Sequence, residues 1–326
     1  MVSQLTISSN WRLQLARQMT AVENNTAAGR KALDESFIRA GKAVLIGVTG
    51  APGTGKSSLV NQLAKYLRKE NKLTVGIVAV DPSSPFTGGA ILGDRVRMRD
   101  LAGDEGVFIR SMASRGTLGG LALATAGVVQ LMDAAGFDVV MIETVGAGQS
   151  EVEIARLAHT TLVVEAPGFG DDIQSIKAGI MEIADILVLN KADLPGVEST
   201  ERALRVNLEL GYPMGINGKA GHQGTPSLQP DKTENWHPLI VKTVSTKGTG
   251  MGELADAIWR HRDYLASANI LEHRNRERLF TEFDHLLKQS LYTEWQKKHS
   301  KREIDGVLQR VYSRQVSPRQ AVDELL

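Results

Sequence analysis

Seven short runs of aliphatic and β-branched residues punctuate the chain: 43–48, 73–80, 107–110, 138–142, 161–165, 185–190 and 239–244. Most lack the polar alternation of a half-exposed strand, so they read as strands buried on both faces. Between many of them the apolar positions fall at helical spacing, as in Leu59, Val60, Leu63, Ala64 and Leu67, or across Ile173 to Ala184. This alternation predicts an α/β fold with a mainly parallel sheet between helical layers. Ligands of such sheets gather at the carboxyl ends of the strands, where this chain concentrates glycines, amides and carboxylates.

The two flanks carry a different pattern. Trp11 to Leu33 reads as an N-terminal helical extension, and beyond Met251 strand signals give way to helices. We divide the chain into an extension over 1–40, a central domain over 41–265 and a helical arm over 266–326. On the arm, Leu279, Phe280, Phe283, Leu286, Leu287, Leu291 and Trp295 form an apolar stripe on a charged helix. The stripe suits packing against the chain's own sheet or against a second subunit. Residues 211–235 are rich in Gly, Pro, Ser, Thr, Asn and Gln without periodicity and read as a surface loop. No repeat at solenoid spacing is visible.

Directly after the first run stands GVTGAPGTGKSSLV, residues 47–60. Gly50, four residues, then Gly55, Lys56 and Ser57 fit G-x-x-x-x-G-K-[ST]. Its glycines let backbone N–H groups close around phosphate oxygens. Gly50, Ala51, Pro52, Gly53, Thr54, Gly55, Lys56, Ser57 and Ser58 are therefore the candidate phosphate cradle, with Lys56 on the terminal phosphates and the Ser57 hydroxyl on Mg²⁺. A strand before and a helix after the motif supply the context it needs, so the fold sharpens to a P-loop NTPase.

The base is chosen further on. Asn190, Lys191 and Asp193 end the sixth run as N-K-x-D, the guanine-binding pattern of G proteins. A carboxylate can accept from the ring N–H and the exocyclic amine that guanine offers side by side, a pair adenine lacks. Two lost hydrogen bonds to a charged group disfavour the wrong base by on the order of a hundredfold. Lys191 would lie over the base and the Asn190 amide would brace neighbouring loops. Ser245, Thr246 and Lys247 resemble the short S-A-K element that meets guanine through its backbone. For the metal, Asp81, Asp94 and Glu143 stand at or just beyond strand ends, and one or two of them with Ser57 and phosphate oxygens would satisfy Mg²⁺.

Composition narrows the alternatives. The 326 residues hold 38 basic and 37 acidic side chains, which gives no global footprint for nucleic acid or an anionic membrane. Cysteine is absent, removing disulfides and thiolate metal sites. The first twenty residues lack the apolar core of a signal peptide, so a cytoplasmic location is expected. Gly116 to Met132 is uncharged but carries four glycines and reads as a buried loop and helix rather than a span. The seven histidines show no metal-ligand spacing.

Together the segments VTGAPGTGKSSL, VAVDPSSPFTGGAILGDRVRM, SRGTLGGL, ETVGAGQSE, GDDIQSIKAGIMEIADI, NKAD and SPRQAVDELL resemble the MeaB/ArgK-type GTPases, companions of methylmalonyl-CoA mutase among metallochaperone-like G proteins. LARQMTAVEN is similar to the family's N-terminal helix. Ordinary G proteins carry D-x-x-G where this chain has Glu143-Thr-Val-Gly146, a departure that agrees with this family. The resemblance implies a homodimeric GTPase that binds an adenosylcobalamin-dependent acyl-CoA mutase and gates cofactor loading. It implies switch loops over 81–94, 143–151 and 170–177, ordered or released with the γ-phosphate.

The expected catalytic set is Lys56, Glu143 and Gln149, the last as water-orienting group, with a surface glutamine as the alternative. Arg110 or Arg115 could supply an arginine finger or simply pair with an acidic neighbour. A kinase linked to amino-acid transport, an idea attached to ArgK-type proteins, is the alternative activity; a GTP-binding module without turnover is a third.

Overall fold

A computed structural model describes residues 9–82, 98–101, 103–114, 120–144, 157–168, 182–211 and 236–326. The seven apolar runs all form strands: β1 Val44–Thr49, β2 Val75–Pro82, β3 Val107–Ser114, β4 Val139–Thr144, β5 Thr160–Glu165, β6 Ile186–Leu189 and β7 Leu239–Lys242. They make one sheet in the order β3-β2-β4-β1-β5-β6-β7. Every pairing in it is parallel.

Helices cover both faces, which is why β1 and β4 are buried along their whole length. Successive β1 side chains point to opposite faces. Val44, Ile46 and Val48 join a core built with helix Lys56–Lys69 and helix Met251–Ser267, whereas Leu45 joins one built with the N-terminal helices and Gly120–Ala134. Filling each side of the sheet with aliphatic groups such as Leu63 and Met132, both fully buried, stabilises by about 1.5 to 3 kcal/mol per side chain. The uncharged run ending at Met132 thus supplies a sheet-covering helix. No helix among the described residues is long and apolar enough to cross a membrane.

Among the described residues the α-helices are, in chain order, α1 Ser9–Glu23, α2 Ala27–Phe37, α3 Lys56–Lys69, α4 Gly120–Ala134, α5 Val197–Gly211, α6 Met251–Ser267, α7 Ile270–Lys298, α8 Lys301–Tyr312 and α9 Pro318–Leu325. The N-terminal extension is two helices, broken where Asn25 adopts a left-handed φ of 47° and Thr26 caps α2 by accepting from the Gly29 N–H at 3.1 Å. The helices cross so closely that a Cβ on Gly29 would meet the Ala21 carbonyl oxygen at 2.4 Å. Met19, Val22 and Ala32 bury this hairpin in the core it shares with α4.

The chain divides into two compact units, 1–271 and 272–326. Within the second, the Trp295 indole N–H donates to the Leu325 carbonyl at 2.6 Å and Arg310 pairs with Glu324 at 2.7 Å. Ser317 and Gln320 form a reciprocal capping box on α9. Along the apolar stripe of α7, Phe280, Phe283 and Leu291 are 69%, 62% and 61% exposed.

Candidate nucleotide site

The loop after β1 is built by backbone approach. Gly50 has φ 137°, and a Cβ there would meet the Val164 carbonyl oxygen on β5 at 2.1 Å. Gly55, with φ 94°, would place a Cβ 2.5 Å from the Asn190 Nδ2. Only glycine fits both the space and the left-handed backbone. α3 begins at Lys56 without a side-chain cap, so the first N–H groups of the helix carry positive partial charge into the loop. Thr54 is fully buried and its hydroxyl donates to the Ala51 carbonyl at 2.9 Å, closing the turn. Lys56 curls over the loop, its Nζ donating to the Gly50 and Ala51 carbonyls at 2.8 and 3.0 Å. Ala51, Pro52, Gly53 and Ser58 complete the cradle between β1 and the first turn of α3.

On the neighbouring strand, Glu143 is paired in register with Val48 of β1. The Ser57 hydroxyl donates to Glu143 Oε1 at 2.6 Å, and both residues are buried. A hydroxyl and a carboxylate at the carboxyl edge are hard oxygen donors of the kind Mg²⁺ takes, and the ion fills its remaining positions with water and phosphate oxygens. Among the described residues no cluster of three or more His, Cys, Asp and Glu side chains is placed to hold a metal by itself. The donor set therefore fits Mg²⁺ shared with a ligand. The Asp81 backbone lies on β2 at the same edge, two residues past Ala79, the register partner of Glu143. Asp94 and Gln149 lie outside the described residues, as does Arg115. Of the three expected switch loops, residues 83–94, 145–151 and 170–177 are likewise outside them.

The second loop is tied to the first through one amide. Asn190, 1% exposed at the end of β6, donates from Nδ2 to the Thr54 carbonyl at 2.8 Å. Its Oδ1 accepts from the Thr243 hydroxyl at 3.1 Å, the Ser245 N–H at 3.1 Å and the Ser245 hydroxyl at 2.7 Å. Lys191, in a left-handed φ of 56°, reaches the Gly53 carbonyl with its Nζ at 2.8 Å. Asp193 accepts from the Lys247 ammonium at 2.9 Å, and this hydrogen bond holds the Asp193 carboxyl below its usual value. Thr246 lies in the turn between them. Phosphate loop, N-K-x-D loop and S-T-K turn thus meet in one network.

Thr243 was not singled out by the sequence; its signal is a hydroxyl just before S-T-K, meaningful only once Asn190 is seen across the gap. Arg110 takes the less catalytic of its two expected roles. Its Nε donates to Glu23 of α1 at 2.6 Å and its Nη2 to the Thr20 hydroxyl at 3.0 Å, so it fastens the N-terminal hairpin to β3.

A parallel sheet with a phosphate cradle after its central strand and a guanine-type N-K-x-D loop two strands away defines a P-loop GTPase. The chain belongs to the MeaB family: the model described as methylmalonyl-CoA mutase-associated GTPase MeaB matches residues 15–300. A relative from Pyrococcus abyssi is 41% identical over 97% of this chain and 92% of its own. The GTPase ArgK of Escherichia coli is 35% identical over 90% of this chain and 81% of its own. Among solved structures, one titled as an LAO/AO transport system kinase superposes with a TM-score of 0.68 at 27% identity, covering 96% of this chain and 92% of its own.

Proposed function

We propose that this protein binds GTP with Mg²⁺ and hydrolyses it slowly to GDP and phosphate. In this reading it is a cytoplasmic homodimer that serves as nucleotide-dependent chaperone to an adenosylcobalamin-dependent acyl-CoA mutase of the methylmalonyl-CoA type, gating cofactor loading and protecting the mutase. The observation that carries the nucleotide part is the Asn190 brace, which lets one rigid unit grip the two ends of a single nucleotide. The mutase part rests on family membership. The exposed apolar stripe of α7 supports the dimer.

In this mechanism the P-loop N–H groups and Lys56 take the phosphates, exchanging the loop carbonyls that Lys56 now meets for phosphoryl oxygens that gain charge in the transition state. Bound Mg²⁺ supplies charge neutralisation on the phosphate oxygens. Ser57 and Glu143 are the residues that would hold it, with Asp81 and Asp94 as further donors. Gln149 orients the attacking water. Asp193 accepts guanine's two donors, Lys191 covers the base, and Ser245 to Lys247 flank it.

Purified protein given γ-labelled GTP tests the reaction. Phosphate release on the order of 10⁻⁴ per second, altered by the mutase, is the expected result for a switch lacking an arginine finger. Label carried to a protein or small-molecule acceptor would establish the kinase instead. Absence of release in a single turnover would leave a binding module, and equal uptake of ATP and GTP would overturn the reading at its root.

A further inference from the structure

The aspartate expected to choose the base has a partner of its own. Asp193 sits on a turn in which the Leu194 N–H donates to the Lys191 carbonyl at 3.0 Å and the Ala192 N–H to the Thr243 carbonyl at 3.0 Å. Those bonds fix the backbone that carries the carboxylate. The Lys247 ammonium donates a hydrogen bond to it.

Lys247 stands on a rigid support. Val244 and Thr249 form an antiparallel bridge, and the Lys247 N–H donates to the Val244 carbonyl at 2.9 Å, so 245–248 is a closed turn. Gly250, φ 81°, packs against β7 so closely that a Cβ would lie 2.2 Å from the Lys242 carbonyl oxygen. Ser245 anchors the near end of the turn to Asn190. The ammonium therefore reaches Asp193 Oδ2 from a fixed base.

A carboxylate offers about four lone-pair positions; the ammonium uses one and the guanine edge needs two. The two partners are compatible on one aspartate. We propose that Lys247 is a positioning residue for base selection, holding the Asp193 carboxylate in one orientation so that guanine meets a preset pair of acceptors. This rests on the GTP-binding reading above.

The test compares wild type, Lys247→Met and Lys247→Arg, measuring GDP and ADP by displacement of a fluorescent GDP analogue from the full chain. An exposed ion pair is sufficient for a change of about 1.5- to 5-fold. The Met variant is expected to lose that much of its GDP-to-ADP affinity ratio, and the Arg variant to retain it. Asp193 is held below its usual value by this lysine. In the Met variant the pH at which the ratio collapses on acidification therefore moves upward, and phosphate titration cancels in the ratio. A ratio in the Met variant equal to or above the wild-type one overturns the proposal, as does a parallel loss of GDP and ADP binding that Arg does not rescue. A wild-type chain with no preference for GDP brings down the GTP reading itself, and that measurement is made before any variant is needed.

Discussion

The two edges of the sheet use the same residue types for opposite ends. At the amino edge, each of three aspartates accepts from a backbone N–H that holds a strand in place. Asp133 accepts from the Gly41, Lys42 and Ala43 N–H groups at 2.6, 3.0 and 2.9 Å, pinning the entry to β1. Asp138 accepts from the Thr74 N–H and hydroxyl, each at 2.7 Å, and Asp185 from the Thr161 N–H at 2.8 Å beside the buried His261. At the carboxyl edge the acids meet side chains that sit on ligand-binding loops: Glu143 the Ser57 hydroxyl, Asp193 the Lys247 ammonium. A backbone N–H is fixed by the chain, whereas a hydroxyl or ammonium can turn to share its acid with a ligand. The difference separates stitching from binding better than residue identity does.

The sharpest way to break that contrast is to remove one acid from each edge. Asp193→Ala is expected to cost the preference for GTP over ATP by at least about a hundredfold, since two hydrogen bonds to a charge are lost. Its thermal midpoint should stay within a degree or two of wild type, as calorimetry without nucleotide would show. Asp133→Ala should do the reverse. Three N–H groups, that of Ala43 buried, lose their acceptor, destabilising the fold by about 2 kcal/mol in urea unfolding, with the base preference of the folded protein intact. A variant of Asp133 that altered base preference would show that the edges are not separable.

The same contrast explains what could be read in advance. The inner strands β2, β4, β1, β5 and β6 are visible because burial on both faces leaves unbroken aliphatic runs, the partly exposed edge strands β3 and β7 because their runs are still apolar, and the phosphate and base loops because their chemistry is local in sequence. What joins those loops is not local. The Asn190 side chain meets Thr54 across 136 residues and Ser245 across 55, and the sequence offers an amide but not its partners. Lys247 and Asp193 are 54 apart, and nothing in either motif announces their pairing. The amino-edge aspartates went unremarked because an acid before a strand looks like any turn former. The break at Asn25 was hidden because apolar residues continue at helical spacing from one helix into the next.

A smaller effect probes the binding edge for the metal. Ser57→Ala removes the hydroxyl 2.6 Å from Glu143 and one oxygen donor from the expected ion. Affinity for GDP should fall about tenfold with Mg²⁺ present and change little in its absence, a split that isothermal titration with and without chelator resolves. An equal loss under both conditions would place Ser57 in the phosphate cradle rather than on the metal.

The smallest effect belongs to the amino edge and is a matter of pH. Arg68 grips Asp104 through Nε and Nη2 at 2.8 to 3.1 Å, and that hydrogen bonding, with the Gly106 N–H and the nearby charges, holds the Asp104 carboxyl below its ordinary value of 3.8. A carboxyl depressed in the folded state contributes stability that is complete above its unfolded value and disappears as pH falls through the folded one. Arg68→Met should therefore be less stable than wild type at neutral pH, and the gap should narrow as the medium is acidified below about 3.8, where the unfolded chain takes up its proton first. It should not close, because Arg68 also donates to the Leu73 carbonyl at 2.8 Å, a bond indifferent to that proton. Urea midpoints at stepped pH values would reveal the narrowing, and a gap constant across the acid range would mean that Arg68 acts through Leu73 alone.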